Sequence, residues 1–144
     1  MSLRFRTTSP NATLCDAGRH YTFYNSFIDR SLILTPDGLT AQAGGQSVRA
    51  LGKFNDGEWH FTVHTFDRAS QRLFVDGQLA TSGKPPKFTK PPPATVRLAP
   101  ETEGGTGVLM SDLCIYERSL SDAEITALTK PLNRLPKGEI RLPP

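Results

Sequence analysis

The sequence predicts an all-β protein, an antiparallel β-sandwich with one short C-terminal helix. Three observations lead there. Apolar residues recur in short runs, several with strict alternation, as strands with one buried face do. Twelve Gly and twelve Pro punctuate those runs, modestly above average usage and too few for disorder. At 144 residues and 37% hydrophobic, the chain can bury one ordinary core.

The elements follow in order. Leu3-Arg4-Phe5-Arg6-Thr7 alternates with period two and makes a first strand. Short β-like runs come next at Thr13 to Cys15, Tyr21 to Tyr24 and Ser31 to Thr35. The last ends on Pro36-Asp37-Gly38, which has turn chemistry, before Leu39 to Ala43 resumes, so this stretch reads as a hairpin.

Asp56-Gly57 makes a turn, Trp59 to Phe66 a strand and Gln71 to Val75 another. Asp76-Gly77 then reverses the chain. A two-residue type I′ turn needs positive φ at both central positions, which Asp tolerates and Gly prefers, so Leu73-Phe74-Val75 should pair with Gln78-Leu79-Ala80. Residues Ser82 to Pro93 carry five prolines and three lysines, a composition excluded from a sheet interior, and predict an exposed loop of polyproline character.

Strands resume at Thr95 to Leu98 and Val108 to Tyr116, around a Gly-rich loop from Glu101 to Gly107. Ser121 with Glu124 three residues on is a capping box, and Pro131 stops the helix it opens near Thr129. The organisation is therefore a sandwich over 1–129 and an extended, basic, Pro-rich arm over 130–144.

A formal charge of +3 from 17 Lys and Arg against 14 acids is too small and too spread to argue for nucleic acid. No apolar run follows Met1 and none reaches the ~18 residues of a membrane span, so neither a signal peptide nor a membrane partner is expected. Asn11-Ala12-Thr13 matches a glycosylation acceptor pattern, but without a signal peptide it reads as a polar turn. Cys15 and Cys114 are either a disulfide or two quiet thiols, and a cytoplasmic setting favours thiols.

Two blocks resemble a known family. Asn55-Asp56-Gly57-Glu58-Trp59-His60, followed by Leu73-Phe74-Val75-Asp76-Gly77, is similar to the hairpin of the laminin G-like branch of concanavalin A-like jelly rolls. Asp112 to Ile125, reading Asp-Leu-Cys-Ile-Tyr-Glu-Arg-Ser-Leu-Ser-Asp-Ala-Glu-Ile, resembles that family's closing strand and tail. The resemblance covers the C-terminal half in order and spacing; the first 50 residues match only in rhythm, with a short opening strand.

One departure bears on function. Along the strand after Trp59, one face reads His60, Thr62, His64, Phe66 and the other Trp59, Phe61, Val63, Thr65, so the apolar side is not the one the family uses. Either the sheet packs with its other side inward, or it has a second apolar face covered by a loop or by a partner. Loop cover or a repacked core is favoured over a partner.

Chemistry is not expected. Relatives that hydrolyse glycosides need two carboxylates across a groove, and no Glu-x-Asp-x-Glu alternation exists; Asp56, Asp67, Asp76, Asp112, Asp122 and Glu124 fall at turn and cap positions. His60 and His64, four residues apart on a strand, lie ~13 Å apart, too far to share an ion. His20 is isolated, and no Ser-His-Asp or Cys-His set can be argued. Some laminin G-like domains hold calcium at the rim, and Glu101, Glu103 and Asp112 flank a loop of that kind, but without a tight Asp-x-Asp pattern they read as a solvated loop and no cofactor is expected.

A non-catalytic binding or structural module remains. The favoured form is a structural or decoration component of a viral particle, such as a phage capsid or tail, placing the protein in the virion if phage-encoded and otherwise in the cytoplasm. Its partners are then proteins of a larger assembly or further copies of itself. Candidate contact residues are Trp59, Phe61 and Val63 on the apolar face, Lys84, Lys87 and Lys90 in the Pro-Lys loop, and Arg134, Ile140, Arg141 and Leu142 in the arm, which can add to a neighbour's strand edge. The alternative is a carbohydrate-recognition module with Tyr21 and Tyr24 as aromatic platforms.

Overall fold

A computed structural model describes residues 1–19, 27–88, 95–99 and 107–130. Among the described residues, ten strands and one helix run in the order β1 (Ser2–Arg6), β2 (Ala12–Arg19), β3 (Phe27–Thr35), β4 (Gly38–Ala43), β5 (Gln46–Leu51), β6 (His60–Phe66), β7 (Gln71–Val75), β8 (Gln78–Gly83), β9 (Thr95–Leu98), β10 (Leu109–Cys114) and α1 (Asp122–Thr129). They form two five-stranded antiparallel sheets, β10-β1-β6-β7-β8 and β5-β4-β3-β2-β9. The predicted sandwich with one C-terminal helix is what the chain adopts.

The first strand is short but lies inside its sheet, hydrogen-bonded to β6 on one side and β10 on the other. Its alternation sends Leu3 and Phe5 into the space between the sheets, where they meet Leu14, Leu32, Leu34, Leu39, Leu73 and Val75. The Asp76-Gly77 turn has positive φ at both residues, 51° and 84°, as a type I′ turn requires. Val75 pairs with Gln78 and Phe74 with Leu79, and a bulge at Ala80 brings Leu73 opposite Thr81.

β5 was not anticipated, although its signal is present. Gly44-Gly45 is a two-residue hairpin turn with both φ positive, and Val48 and Ala50 are buried between exposed Ser47, Arg49 and Leu51. β5 lies against β7 and β8, where Gly83 sits so close to Val48 that an added Cβ would come within 2.6 Å of its Cγ1. That flank of the sandwich is closed. At the other flank, β9 and β10 are edge strands among the described residues.

The histidine face of β6 points inward: Thr62 and His64 stand opposite Val75 and Leu73 of β7, whose side chains join the inter-sheet core. The apolar face points outward and is covered. Phe61, Val63 and Phe74 form a second core with Leu120 and Ile125 of the helix segment. The chain thus covers its own second face, and the expectation that Phe61 and Val63 await a partner is corrected: they are 5% and 0% exposed.

Two arginines fasten this cover. Arg72 donates from Nη1 to Asp122 Oδ1 at 2.6 Å and from Nη2 to the Leu120 carbonyl at 3.0 Å, at the helix N-terminus. Arg4 Nη2 donates to the Thr129 carbonyl at 3.0 Å, satisfying part of the helix C-terminus. Their guanidinium groups lie over the rings of Phe74 and Phe61, at 5.3 and 4.9 Å. Ser121 caps α1 in the full capping box with Glu124, as its spacing predicts.

Candidate functional site

Between the sheets, toward the open flank, lies a cleft of about 350 Å³. One wall comes from β2, β3 and β9, through Ala17, Arg30 and Val96; the other from β6 and the segment after β10, through Phe66, Ile115 and Tyr116. Val96 and Ile115 stand half exposed at its rim. Tyr116 is positioned by its hydroxyl, 3.3 Å from Ser2 Oγ.

Most polar groups of the cleft are engaged. Asp16, buried on β2, faces Arg97 across the β2–β9 ladder and accepts from its Nε and Nη2 at 2.9 and 2.6 Å. Arg30 donates from Nε to the buried Asp29 carboxylate at 3.2 Å, and its guanidinium lies 5.2 and 4.9 Å from the ring centres of Phe66 and Phe88. Arg118 is doubly bonded to Glu124. Thr65 Oγ1 is 2.9 Å from Ser119 Oγ and accepts from the Leu120 backbone N–H.

Reactive groups in the cleft are quiet. Burial pushes the Cys15 thiol up to about 12, so no thiolate forms near neutral pH. Burial likewise lowers the His64 imidazole to about 4, the bond between its Nε2 and Gln71 Oε1 at 3.1 Å working the other way. Ser119 is paired with a threonine and not with a base. Both cysteines are free.

His60 performs a structural task. Its Nδ1 lies 2.9 Å from Asp76 Oδ2 and its Nε2 3.2 Å from Asp56 Oδ1, tying the two Asp-Gly turns together. Burial works against its charged form, but the two carboxylates outweigh burial and hold its pKa above the ordinary value. The other turn acids behave as their positions suggest: Asp56 accepts from the Glu58 N–H, Asp67 from those of Ala69 and Ser70, Asp76 from that of Phe61.

The remaining sequence candidates scatter. Trp59 precedes β6 and is 43% exposed, away from the cleft. Lys84 and Lys87 are exposed, and the loop that carries them is held to the sandwich by the Lys87 N–H on the Gly44 carbonyl and by Phe88 against Phe66. The Asp112 carboxylate pairs with Arg4 at 3.1 Å. Tyr21, Tyr24, Lys90, Glu101, Glu103, Arg134, Ile140, Arg141 and Leu142 lie outside the described residues. Sequence reasoning missed the cleft itself, because it is assembled from segments more than 80 residues apart, such as Asp16 and Arg97.

Residues 4–126 match the family model described as the concanavalin A-like lectin/glucanases superfamily. A comparison with curated proteins gives no match. Among solved structures, the fold is similar to the binding domain of botulinum neurotoxin serotype D/C VPI 5993, with TM-score 0.70 and 16% identity over 89% of this chain and 35% of that one. It is similar to the botulinum neurotoxin DC binding domain solved with rat synaptotagmin II, at TM-score 0.70, 15% identity, 89% and 34% coverage. It also resembles the CBM40 of the Ruminococcus gnavus IT-sialidase bound to alpha2,3 sialyllactose, at TM-score 0.67, 20% identity, 89% and 80% coverage. The chain thus spans about a third of the toxin domains' length.

Proposed function

We propose that this chain, which belongs to the concanavalin A-like lectin/glucanases superfamily, is a non-catalytic recognition module that holds a surface glycan at its open flank. The observation that carries this reading is the asymmetry of the sandwich. One flank is closed by β5 against β7 and β8, while the other offers edge strands with exposed Leu98 and Leu109 and a cleft beside them. Non-catalysis is supported by the state of the cleft's groups: a carboxylate consumed by Arg97, a thiol too basic to ionise and a histidine bonded to an amide. The CBM40 neighbour, most of whose length this chain spans, holds a sialylated sugar, which supports a glycan as the first ligand class to test.

A second reading, a structural or decoration component of a virus particle, capsid or tail, is favoured by the same two edge strands. An extended arm from a neighbouring copy can add to β9 or β10 through main-chain hydrogen bonds. A glycan array probed with the whole chain, beside Leu98→Glu and Leu109→Glu variants, separates the two. Glycan signals lost in the variants support recognition; no glycan signal, with concentration-dependent self-association lost in the variants, supports assembly and overturns the glycan reading.

A further inference from the structure

The interior of the cleft goes beyond that reading, because its chemistry suits a guest unlike a charged sugar. Its charged side chains other than Glu117 are already matched, Asp16 by Arg97, Arg30 by Asp29 and Arg118 by Glu124, and the Met1 amine, bonded to the His64 carbonyl at 2.9 Å, is lowered by burial to about 6 and so is largely neutral near pH 7. Glu117, which has no cation partner among the described residues, leaves a spare negative charge on the lining. An incoming carboxylate or sulfate would meet cations that each already carry an acid, and would face that repulsion. An ammonium would lose its hydration against Ala17, Val96, Phe66 and Ile115, with only a solvent-exposed Glu117 in return.

A buried acceptor of the wall also remains unsatisfied. His64 is 97% buried by its 3% exposure, lines the cleft, and engages Gln71 through Nε2, so with that N–H donated its Nδ1 keeps a lone pair that has no partner among the described residues. Behind it, the buried Gln71 Nε2 has no hydrogen-bond partner. Size sets the other bound: a dry apolar cavity of ~150 Å³ holds one benzene ring, and this one is about 350 Å³.

We infer that the cleft binds an uncharged, apolar molecule of about two fused rings or an equivalent aliphatic skeleton, bearing one hydroxyl or N–H that donates to His64 Nδ1. The guest lies between the sheets, with its ring against Phe66 and Val96, and the glycan or protein at the open flank is a separate ligand.

Calorimetry with 2-naphthol, naphthalene, 2-naphthoate and 2-(aminomethyl)naphthalene tests it on the full chain. The expected result is saturable binding of 2-naphthol at one site, two- to tenfold tighter than naphthalene for one neutral hydrogen bond, with both charged analogues at least tenfold weaker. Ala17→Phe and Val96→Trp fill the space from opposite positions and abolish binding; the second alters a half-exposed rim residue, so it serves if the first fails to fold. The pair His64→Phe with Gln71→Leu, which leaves no buried amide unpaired, removes the preference for naphthol while naphthalene still binds. Absence of saturable naphthol binding, equal or tighter binding of a charged analogue, or binding that survives both filled variants overturns the inference. None of these outcomes bears on the glycan array, whose variants lie on the strand edges and not in the cleft.

Discussion

Arg4 donates through Nη2 to the carbonyl of Thr129 at 3.0 Å, joining the first strand to the last helical turn across 125 positions of sequence. The same side chain pairs with Asp112 and covers Phe61. Its replacement therefore loosens a helix end, an ion pair and a hydrophobic lid together. Arg4→Met keeps the apolar stem and removes the donors; the expected loss is ~1.5–3 kcal/mol, for a hydrogen bond from a charged group, read as a lower urea midpoint with unchanged slope.

The helix is a working part of the core. Ile125 is fully buried against Phe61, Val63 and Phe74, and Ile125→Ala is expected to cost ~2–5 kcal/mol. Removing 120–144 should expose the outer apolar face and give an aggregating protein that binds hydrophobic dyes. Removing only 131–144 should leave the melting temperature within a few degrees, and a large drop on that shorter deletion would move the arm into the folded core.

Gly77 is held at φ 84° in the hairpin turn, and an added Cβ would come within 2.7 Å of Thr129 Cγ2. Gly77→Ala should therefore destabilise by more than ~1 kcal/mol, since both the backbone region and the space disfavour it. Thr129→Ser, which removes the obstructing methyl, should recover part of that loss but not the backbone share. A double-mutant cycle measured by thermal unfolding separates the two.

The two sheet histidines titrate in opposite directions. His60 has a raised folded pKa, so its contribution is fully present below the unfolded value of ~6.5 and disappears as pH rises through the folded one. Asp56, whose pKa is lowered by the Glu58 N–H and by His60, contributes above its unfolded value and loses that contribution as pH falls through the folded one. His64, lowered to about 4, favours the native state above ~6.5 and withdraws roughly 3 kcal/mol of support between there and about 4. NMR titration of the His60 and His64 Cε1–H signals should show a midpoint above 6.5 for the first and near 4 for the second. A His64 that titrates near 6.5 in the folded protein would refute the burial argument.

Local chemistry was the legible part of this sequence. The Asp76-Gly77 turn and the Ser121–Glu124 capping box each depend on residues within four positions of one another, and both stand as read. β5 was legible and passed over, because Val48 and Ala50 alternate with polar residues too modestly to stand out beside larger apolar runs. Which side of β6 faces the core was undecided by pattern, because all residues from Phe61 to Thr65 are buried and neither face looks solvated. The cleft was beyond reach of spacing arguments: it depends on Asp16 meeting Arg97 and on His64 meeting Gln71, pairings that only the register of the sheets creates.

β6 lies at the centre of its sheet, under the sandwich core on one side and the helix on the other. Between Phe61 and Thr65 this strand has no position at which a charged residue meets water. Surveys of tolerated substitutions should therefore find 61–65 uniformly intolerant, with no every-second-residue relief. β5, whose Ser47, Arg49 and Leu51 are exposed, should accept change at those three positions. The freedom of this protein to acquire new specificities then resides at its margins, where its outermost strands can vary without disturbing the layer that holds them.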